Sequence, residues 1–233
     1  MNNRELQETA VLIFANSAEV DARNKTSIPK TELFQEFTGH TLKVVGQSGL
    51  PFFHISEKEQ HGNTFGERFA HAIQSIYDRG YENVITIGND SPELRAHHLT
   101  EANEQLKHGK TVLGPTLDGG FYLMGLHQSN FDAQLFQKLP WQRVGLFHKI
   151  SQLFKTNNST LYTLPTLRDI DVLEDVKVLL NFVGRIPRAI FKILADLAKR
   201  NIQFFETHIP KPEIRFITFS FNKGSPNLLL SIH

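Results

Sequence analysis

The sequence contains no cysteine, which excludes disulfide bonds and thiolate metal sites in this chain. Long apolar runs are also missing, because the stretch Ala10 to Ala15 is too short for a signal peptide or a membrane-spanning helix. Charge of one sign is not in excess, since 25 basic side chains are balanced by 24 acidic ones, so no strong field would attract nucleic acid or an anionic membrane. A soluble, cytoplasmic protein is therefore the default expectation, and a negatively charged small molecule would need local capture.

The composition is that of a folded domain with a large core. The chain has 233 residues, and 40% of them are apolar. Phenylalanine alone accounts for 19 residues. This length suits one large α/β domain, alone or with an appendage. Short apolar runs alternate with segments of helical spacing up to about residue 180, and the pattern changes after Gly184.

The first functional prediction is based on the stretch from Val84 to Leu94. Its β-branched and apolar residues stop at Gly88, which is typical of a buried parallel strand, and Asp90 follows in the loop. Open α/β sheets bind ligands outside the carboxyl ends of their strands, so Asp90 stands in a favourable place. The alternative is that Asp90 or Ser91 only caps the helix predicted from Leu94 to Leu106.

A second acid, Asp118, lies between the predicted strands 111–114 and 121–126. Gly119 and Gly120 follow it, and the absence of a Cβ at both positions lets the backbone come close to a bound group. A plain turn between two strands explains the same residues. Both interpretations stay open at this stage.

A third acidic place is the pair Asp169 and Asp171. Two carboxylates two residues apart in an extended segment face the same side, so the pair can share one cation. Capping of the following helix by Asp171 is compatible with this role. His97 and His98 are adjacent, a poor spacing for a metal pair on a helix, and both are predicted to be surface residues.

A set of short segments forms a combined pattern along the chain: Gly66-Glu67-Arg68, Ile87-Gly88-Asn89-Asp90-Ser91-Pro92, Gly114-Pro115, Asp118-Gly119-Gly120-Phe121-Tyr122-Leu123-Met124-Gly125-Leu126, Pro140-Trp141, Leu167-Arg168-Asp169-Ile170-Asp171 and Glu174-Asp175. Together these segments resemble a bacterial protein family, DUF2064. The resemblance covers roughly residues 10 to 180, and its most specific part is 62 to 126. This family of uncharacterised proteins is grouped with GT-A-fold glycosyltransferases and nucleotide-diphospho-sugar transferases.

The resemblance implies an α/β fold of the GT-A type, a Rossmann-like three-layer arrangement with helices on both faces of the sheet. The nucleotide-binding transferase domain would span residues 1–183. Residues 184–233 would form a C-terminal extension, a helix and a possible hairpin, packed on the domain or at a contact in a homo-oligomer.

The resemblance also implies a divalent cation, Mg²⁺ or Mn²⁺, between protein carboxylates and the phosphates of a nucleotide. Asp90 takes the place of the last acid of the metal-binding Asp-x-Asp motif, whereas Gly88 occupies the first position. Asp169 or Asp171 is therefore the expected second ligand. Asp118 is expected to orient an acceptor hydroxyl or to act as a base.

The nucleotide side of the implied site comprises Lys25, Thr26, Glu67, Arg68 and Asn89. Arg68 is expected to pair with a phosphate oxygen. Gly119 and Gly120 would give the acceptor room. The loop 16–28 departs from the family pattern, because it lacks the usual glycine and ends without the usual arginine, although Lys25 and Thr26 match.

The expected function is a metal-dependent glycosyltransferase or nucleotide-diphospho-sugar transferase acting on a small acceptor. A nucleotidyltransferase of the same fold is one alternative. A non-catalytic descendant that binds a nucleotide or a protein partner is the other. Acids retained at three separate places favour an enzyme, and the altered first loop favours the non-catalytic alternative.

Overall fold

The structure is a computed structural model. It describes residues 7–26, 28, 30–141, 143, 145–156, 160–170, 175, 178 and 184–208, of which 7, 155, 156 and 200–208 are described by backbone only. The predicted metal ligand Asp171 and the possible hairpin beyond residue 208 lie outside the described residues.

The described strands form one mixed sheet in the order β2-β1-β3-β5-β4-β6. Their bounds are β1 Gln7–Phe14, β2 Phe52–Ile55, β3 Tyr81–Ile87, β4 Thr111–Pro115, β5 Phe121–His127 and β6 Leu161–Thr163. β5 runs antiparallel to both of its neighbours, β3 and β4, whereas β1 pairs in parallel with β2 and β3 and β4 pairs in parallel with β6. The carboxyl ends of β1 and β3 therefore lie at the same edge of the sheet.

Helices cover both faces of this sheet. Their bounds are α1 Ala18–Asn24, α2 Thr31–Ser48, α3 Phe65–Tyr77, α4 Ala96–Lys107, α5 Ala133–Gln137, α6 Leu146–Thr156 and α7 Arg188–His208, with a 3-10 helix at Gln128–Asn130. Ala10 and Leu12 of β1 pack with α3, α5 and α6, while Val11 and Ile13 pack with α2 and α4. Successive residues of a strand point to opposite faces, so the continuous apolar runs of the central strands supply two cores.

The C-terminal helix α7 adds a third apolar cluster, which it forms with the first half of α2. Ile190 and Leu194 of α7 are fully buried, as are Leu33 and Ile170, and they pack with Phe34 and Phe37 of α2. The helix therefore shares a core with residues that precede the central strand in the chain. No helix in the part of the chain that the structure describes is long and apolar enough to cross a membrane.

Two local predictions need correction. The helix predicted from Leu94 begins at Ala96, since Leu94 ends the loop and is buried in the core. His98 is buried, and only His97 is exposed, so the prediction that both are surface residues was wrong for His98. The Nδ1 atom of His98 accepts a hydrogen bond from the backbone N–H of Arg95, at 3.1 Å, which closes the first turn of α4.

Candidate functional site

An open cleft of about 720 Å³ lies at the carboxyl ends of β1 and β3. Its lining includes Asp21, Lys25, Arg68, Asn89, Asp90, Asp118, Gly120 and Arg143, with an apolar side formed by Phe14, Phe65 and Leu146. A second cavity of about 250 Å³ shares Asp90, Asp118 and Gly120 with it and extends to Asp169. The three separated acidic places of the sequence thus reach one continuous space, although Asp171 is outside the described residues.

The end of β3 fixes the position of Asp90. A Cβ atom on Gly88 would come within 3.1 Å of the Oδ1 atom of Asp90, so the glycine lets the carboxylate fold back towards the strand. The backbone carbonyl of Asp90 accepts a hydrogen bond from the N–H of Ile170, at 3.1 Å. This bond connects the loop after β3 to the segment that carries Asp169.

Lys25 pairs with Asp90 across the cleft. Its Nζ atom lies 3.0 Å from the Oδ2 atom of Asp90 and donates a second hydrogen bond of 3.0 Å to the carbonyl oxygen of Ile170. The side chains are 19% and 32% exposed, so the pair is partly shielded from solvent. Sequence analysis placed both residues in the site but did not predict that they form an ion pair.

Asp118 is positioned by the turn that precedes β5. Its Oδ1 atom accepts hydrogen bonds from the hydroxyl of Thr116, at 2.5 Å, and from the N–H of Gly120, at 3.1 Å. A Cβ on Gly120 would lie 3.0 Å from the Thr116 hydroxyl, so glycine suits this turn. Gly119 has a positive φ of 92° and does not line the cleft; its carbonyl accepts from the N–H of Phe147 instead.

Of the two predicted nucleotide-side residues at the start of α3, only one lines the cleft. Arg68 lines the cleft, and its guanidinium donates to the side-chain oxygen of Gln60, at 3.3 Å, and to the carbonyl of Asn63, at 3.4 Å. Glu67 does not line it, because its carboxylate accepts from the N–H groups of Asn63 and Thr64 and forms a capping box. Glu67 therefore begins the helix outside the cleft lining, and its role on the nucleotide side stays a prediction. Thr26 is exposed and is also absent from the lining.

Two charged residues of the cleft, Asp21 and Arg143, were not predicted from the sequence. Asp21 of α1 is 7% exposed and accepts from the side-chain amides of Asn16, at 2.9 Å, and Asn89, at 3.5 Å. Burial raises the pKa of Asp21, although the bond from Asn16 and the nearby Lys25 partly oppose this. Its only sequence signal is a helical spacing of four residues from Lys25. Arg143 lies in a loop without a motif, so no pattern pointed to it.

The described residues do not complete a divalent-cation site. Among them, no three histidine, aspartate or glutamate side chains are grouped closely enough to hold a metal ion. The Oδ1 atom of Asp169 accepts a hydrogen bond from the hydroxyl of Ser91, and Asp90 is paired with the Lys25 ammonium. The described part of this donor set does not fit the implied Mg²⁺ or Mn²⁺, because such an ion binds oxygen atoms and the Asp90 oxygen already carries the Lys25 ammonium.

Comparison with known proteins supports the predicted fold. Residues 45–143 match the model of the family DUF2064, described as uncharacterized protein conserved in bacteria, which confirms the resemblance over a segment that includes Asp90 and Asp118. The structure is similar to the crystal structure of a proposed nucleotide-diphospho-sugar transferase from Desulfovibrio desulfuricans G20, with a TM-score of 0.73 and 21% identity over 85% of this chain and 98% of that one. The predicted fold class is therefore confirmed.

A second similar structure is Rv0371c from Mycobacterium tuberculosis H37Rv, with a TM-score of 0.50 and 13% identity over 76% of this chain and 99% of that one. A comparison with curated proteins gave no match.

Proposed function

We propose that the protein is a nucleotide-sugar transferase whose cleft binds the donor's phosphates and transfers the sugar to a small acceptor. The observation that carries this proposal is the meeting of Lys25, Arg68 and Arg143 with Asp90 and Asp118 in one open cleft at the carboxyl ends of the central strands. Cations are the groups that bind phosphate, and carboxylates are the groups that take a proton from a hydroxyl. The similarity to a proposed nucleotide-diphospho-sugar transferase supports the same class of substrate.

Phosphate binding is assigned to the cations of the cleft. Arg68 is held by two hydrogen bonds to Gln60 and Asn63, so part of its side-chain entropy is already lost before a ligand binds. A leaving nucleoside diphosphate gains negative charge as its bond to the sugar breaks, and cations placed beforehand stabilise that charge. Phe14 and Phe65 form an apolar wall, with ring centroids 5.7 Å apart, against which a base or sugar ring can pack.

Asp118 is assigned to the acceptor. Its Oδ1 atom is engaged by Thr116 and Gly120, which orients the carboxylate towards the cleft. In the proposed step, an acceptor oxygen bonds to the anomeric carbon while the bond from that carbon to the donor phosphate breaks. The acceptor's proton passes to Asp118, and the nucleoside diphosphate leaves with the electron pair.

The proposed reaction uses no metal ion, because the described carboxylates do not form a site that fits a divalent cation. A metal in this fold would supply charge neutralisation to the leaving phosphates. The metal dependence predicted from the family resemblance stays a prediction, and so does the contribution of Asp171.

The test is calorimetric titration of nucleoside diphosphates and nucleotide sugars, with and without Mn²⁺. We expect one site, and we expect Arg68→Gln to weaken binding by about tenfold or more, because a charge-assisted hydrogen bond contributes about 1.5–3 kcal/mol. Arg79→Gln is the matched control, since Arg79 is exposed and lies over the ring of Phe53 outside the cleft. Absence of binding by every nucleotide would contradict the proposal.

Product analysis of the same samples distinguishes a glycosyltransferase from a nucleotidyltransferase. A glycosyltransferase consumes a nucleotide sugar and releases a nucleoside diphosphate, whereas a nucleotidyltransferase consumes a nucleoside triphosphate and releases pyrophosphate. Binding without turnover of any donor, across a set of sugar and alcohol acceptors, would favour the non-catalytic alternative.

A further inference from the structure

The Lys25 side chain is fixed from several directions. Its backbone N–H donates to the carbonyl of Asp21 at the end of α1, at 2.8 Å. Its ammonium group lies 5.9 Å from the ring centroid of Phe34 and bonds to Asp90 and to the carbonyl of Ile170. Phe34 and Ile170 belong to the buried cluster beneath α7, so the ammonium is held by the core and not by solvent-exposed loops alone.

Two oxygen atoms that accept from the ammonium are of the kind that bind a hard divalent cation. One is a carboxylate oxygen and the other is a backbone carbonyl oxygen, and both lie 3.0 Å from Nζ. Mg²⁺ binds such oxygens at about 2.0–2.1 Å. A lysine is a compact point charge, so it can take the position of a small cation.

The ammonium and a divalent ion on the Asp90 carboxylate would repel each other. With Nζ 3.0 Å from Oδ2, any ion on the same carboxylate would stand only a few ångströms from a fixed positive charge. The repulsion between neighbouring like charges in a partly shielded cleft is stronger than in bulk water. Arg68 and Arg143 also line the cleft, but Asp21 and Asp118 place two carboxylates there, so the repulsion is assigned to the neighbouring Lys25 ammonium.

We propose that Lys25 is the resident cation of the cleft and that it excludes a divalent ion from Asp90. The proposal deepens the proposed function, because it implies that donor phosphates meet a lysine ammonium there and bind in the presence of a chelator. The exclusion itself concerns the protein without a nucleotide, so it is tested separately from donor binding.

The experiment is titration of the full chain with Mn²⁺ alone, followed by electron paramagnetic resonance of the free ion. We expect the wild-type protein and Asp90→Asn to bind Mn²⁺ equally weakly. Lys25→Met should bind Mn²⁺ about tenfold more tightly or better, since it removes the competing charge and leaves both oxygens. The gain should disappear in the double variant Lys25→Met with Asp90→Asn.

Lys43→Met is the matched control, because Lys43 is an exposed residue of α2 outside the cleft and its loss changes the net charge equally. Circular dichroism establishes that each variant is folded. If Lys25→Met does not fold, the comparison of Mn²⁺ affinity between the wild type and Asp90→Asn still tests the proposal. Tight Mn²⁺ binding by the wild type that is lost in Asp90→Asn would overturn it. A gain in Lys25→Met no larger than that in Lys43→Met would overturn it as well.

Discussion

A single substitution separates the structural role of Asp118 in its turn from the catalytic role proposed for it. The Oδ1 atom supports the turn through Thr116 and Gly120, and the carboxylate is assigned to accept the acceptor's proton. Asp118→Asn keeps an oxygen that accepts both hydrogen bonds and removes the base. We expect unchanged nucleotide affinity and a turnover that is lower by about 100-fold or more, the usual contribution of a positioned base.

Calorimetry and a donor-consumption assay measure the two effects of Asp118→Asn. Asp196→Asn is the control, since Asp196 is an exposed residue of α7. Loss of nucleotide binding in Asp118→Asn would show that the acid belongs to the donor side.

His98 makes the stability of the fold depend on pH. Burial, and secondarily the neighbouring His97, lowers the pKa of His98 from its ordinary value of 6.5 to about 4. Between these values the unfolded chain binds a proton that the folded chain does not, so the contribution is complete above pH 6.5 and is lost as the pH falls towards 4. The loss should be on the order of 2 kcal/mol, because one pKa unit corresponds to about 1.4 kcal/mol and the site is partly polar.

Urea unfolding at pH 7 and at pH 5 measures this dependence. His98→Gln should reduce the difference in unfolding free energy between the two pH values, because a glutamine at this helix position can still accept a hydrogen bond from the N–H of Arg95 but does not titrate. His97→Gln, at the exposed neighbour, should leave it unchanged. Equal pH slopes in wild type and His98→Gln would exclude His98 as the cause.

At the residue scale, sequence analysis found acids that follow strands but not the contacts between them. Asp90 and Asp118 stand next to glycines after apolar runs, a local pattern that the sequence displays. The ion pair of Lys25 with Asp90 joins residues 65 positions apart, and the hydrogen bond from Asn89 to Asp21 joins residues 68 positions apart. Such contacts depend on tertiary packing, which local spacing does not encode.

Helix α3 depends on a glycine where it meets the chain around Trp141. A Cβ at Gly66 would lie 2.6 Å from the carbonyl oxygen of Gln137 and 2.8 Å from the Trp141 ring. Gly66→Ala should lower the free energy of unfolding by about 1–3 kcal/mol, since backbone must move to relieve the overlap. Urea unfolding measures the change.

The same substitution in α2 should have the opposite sign. Gly39 is exposed within the helix and has open space where a Cβ would stand. Gly39→Ala should raise the free energy of unfolding by about 0.5–1 kcal/mol, because alanine loses less backbone entropy in a helix. Stabilisation by Gly66→Ala would contradict the close packing at α3.

At the element scale, strands and helices were predictable because their apolar spacing is strong, but strand direction was not. β5 resembles the parallel strands of the sheet in its apolar composition, yet it runs antiparallel to both of its neighbours, β3 and β4. A turn of five residues between β4 and β5 permits an antiparallel pair, whereas parallel neighbours need a longer crossover. The length of that connection was the available signal.

For the whole molecule, α7 is expected to unfold together with the sheet. Leu194 of α7 is fully buried among Phe34, Phe37 and Ile170. Leu194→Ala should lower the free energy of unfolding by about 2–5 kcal/mol because it leaves a cavity. Lys192→Ala, at an exposed position of the same helix, is the control.

Fluorescence of the single tryptophan shows whether the loss of stability in Leu194→Ala also affects the part of the fold around that tryptophan. Trp141 packs against Phe65 and Phe69 in a different core cluster. In one cooperative unit, Leu194→Ala shifts the unfolding midpoint seen by Trp141 fluorescence as much as that seen by circular dichroism. An unchanged fluorescence midpoint would show that residues 184–233 unfold separately, as an appended domain would.

The central claim is that the cleft at the carboxyl ends of β1 and β3 binds the phosphates of a nucleotide. A crystal structure of the protein grown with a nucleoside diphosphate and a chelator tests it most directly. We predict phosphate density in contact with Lys25 and Arg68 beside Asp90. Nucleotide density at any other surface, with this cleft holding only water, would contradict the account.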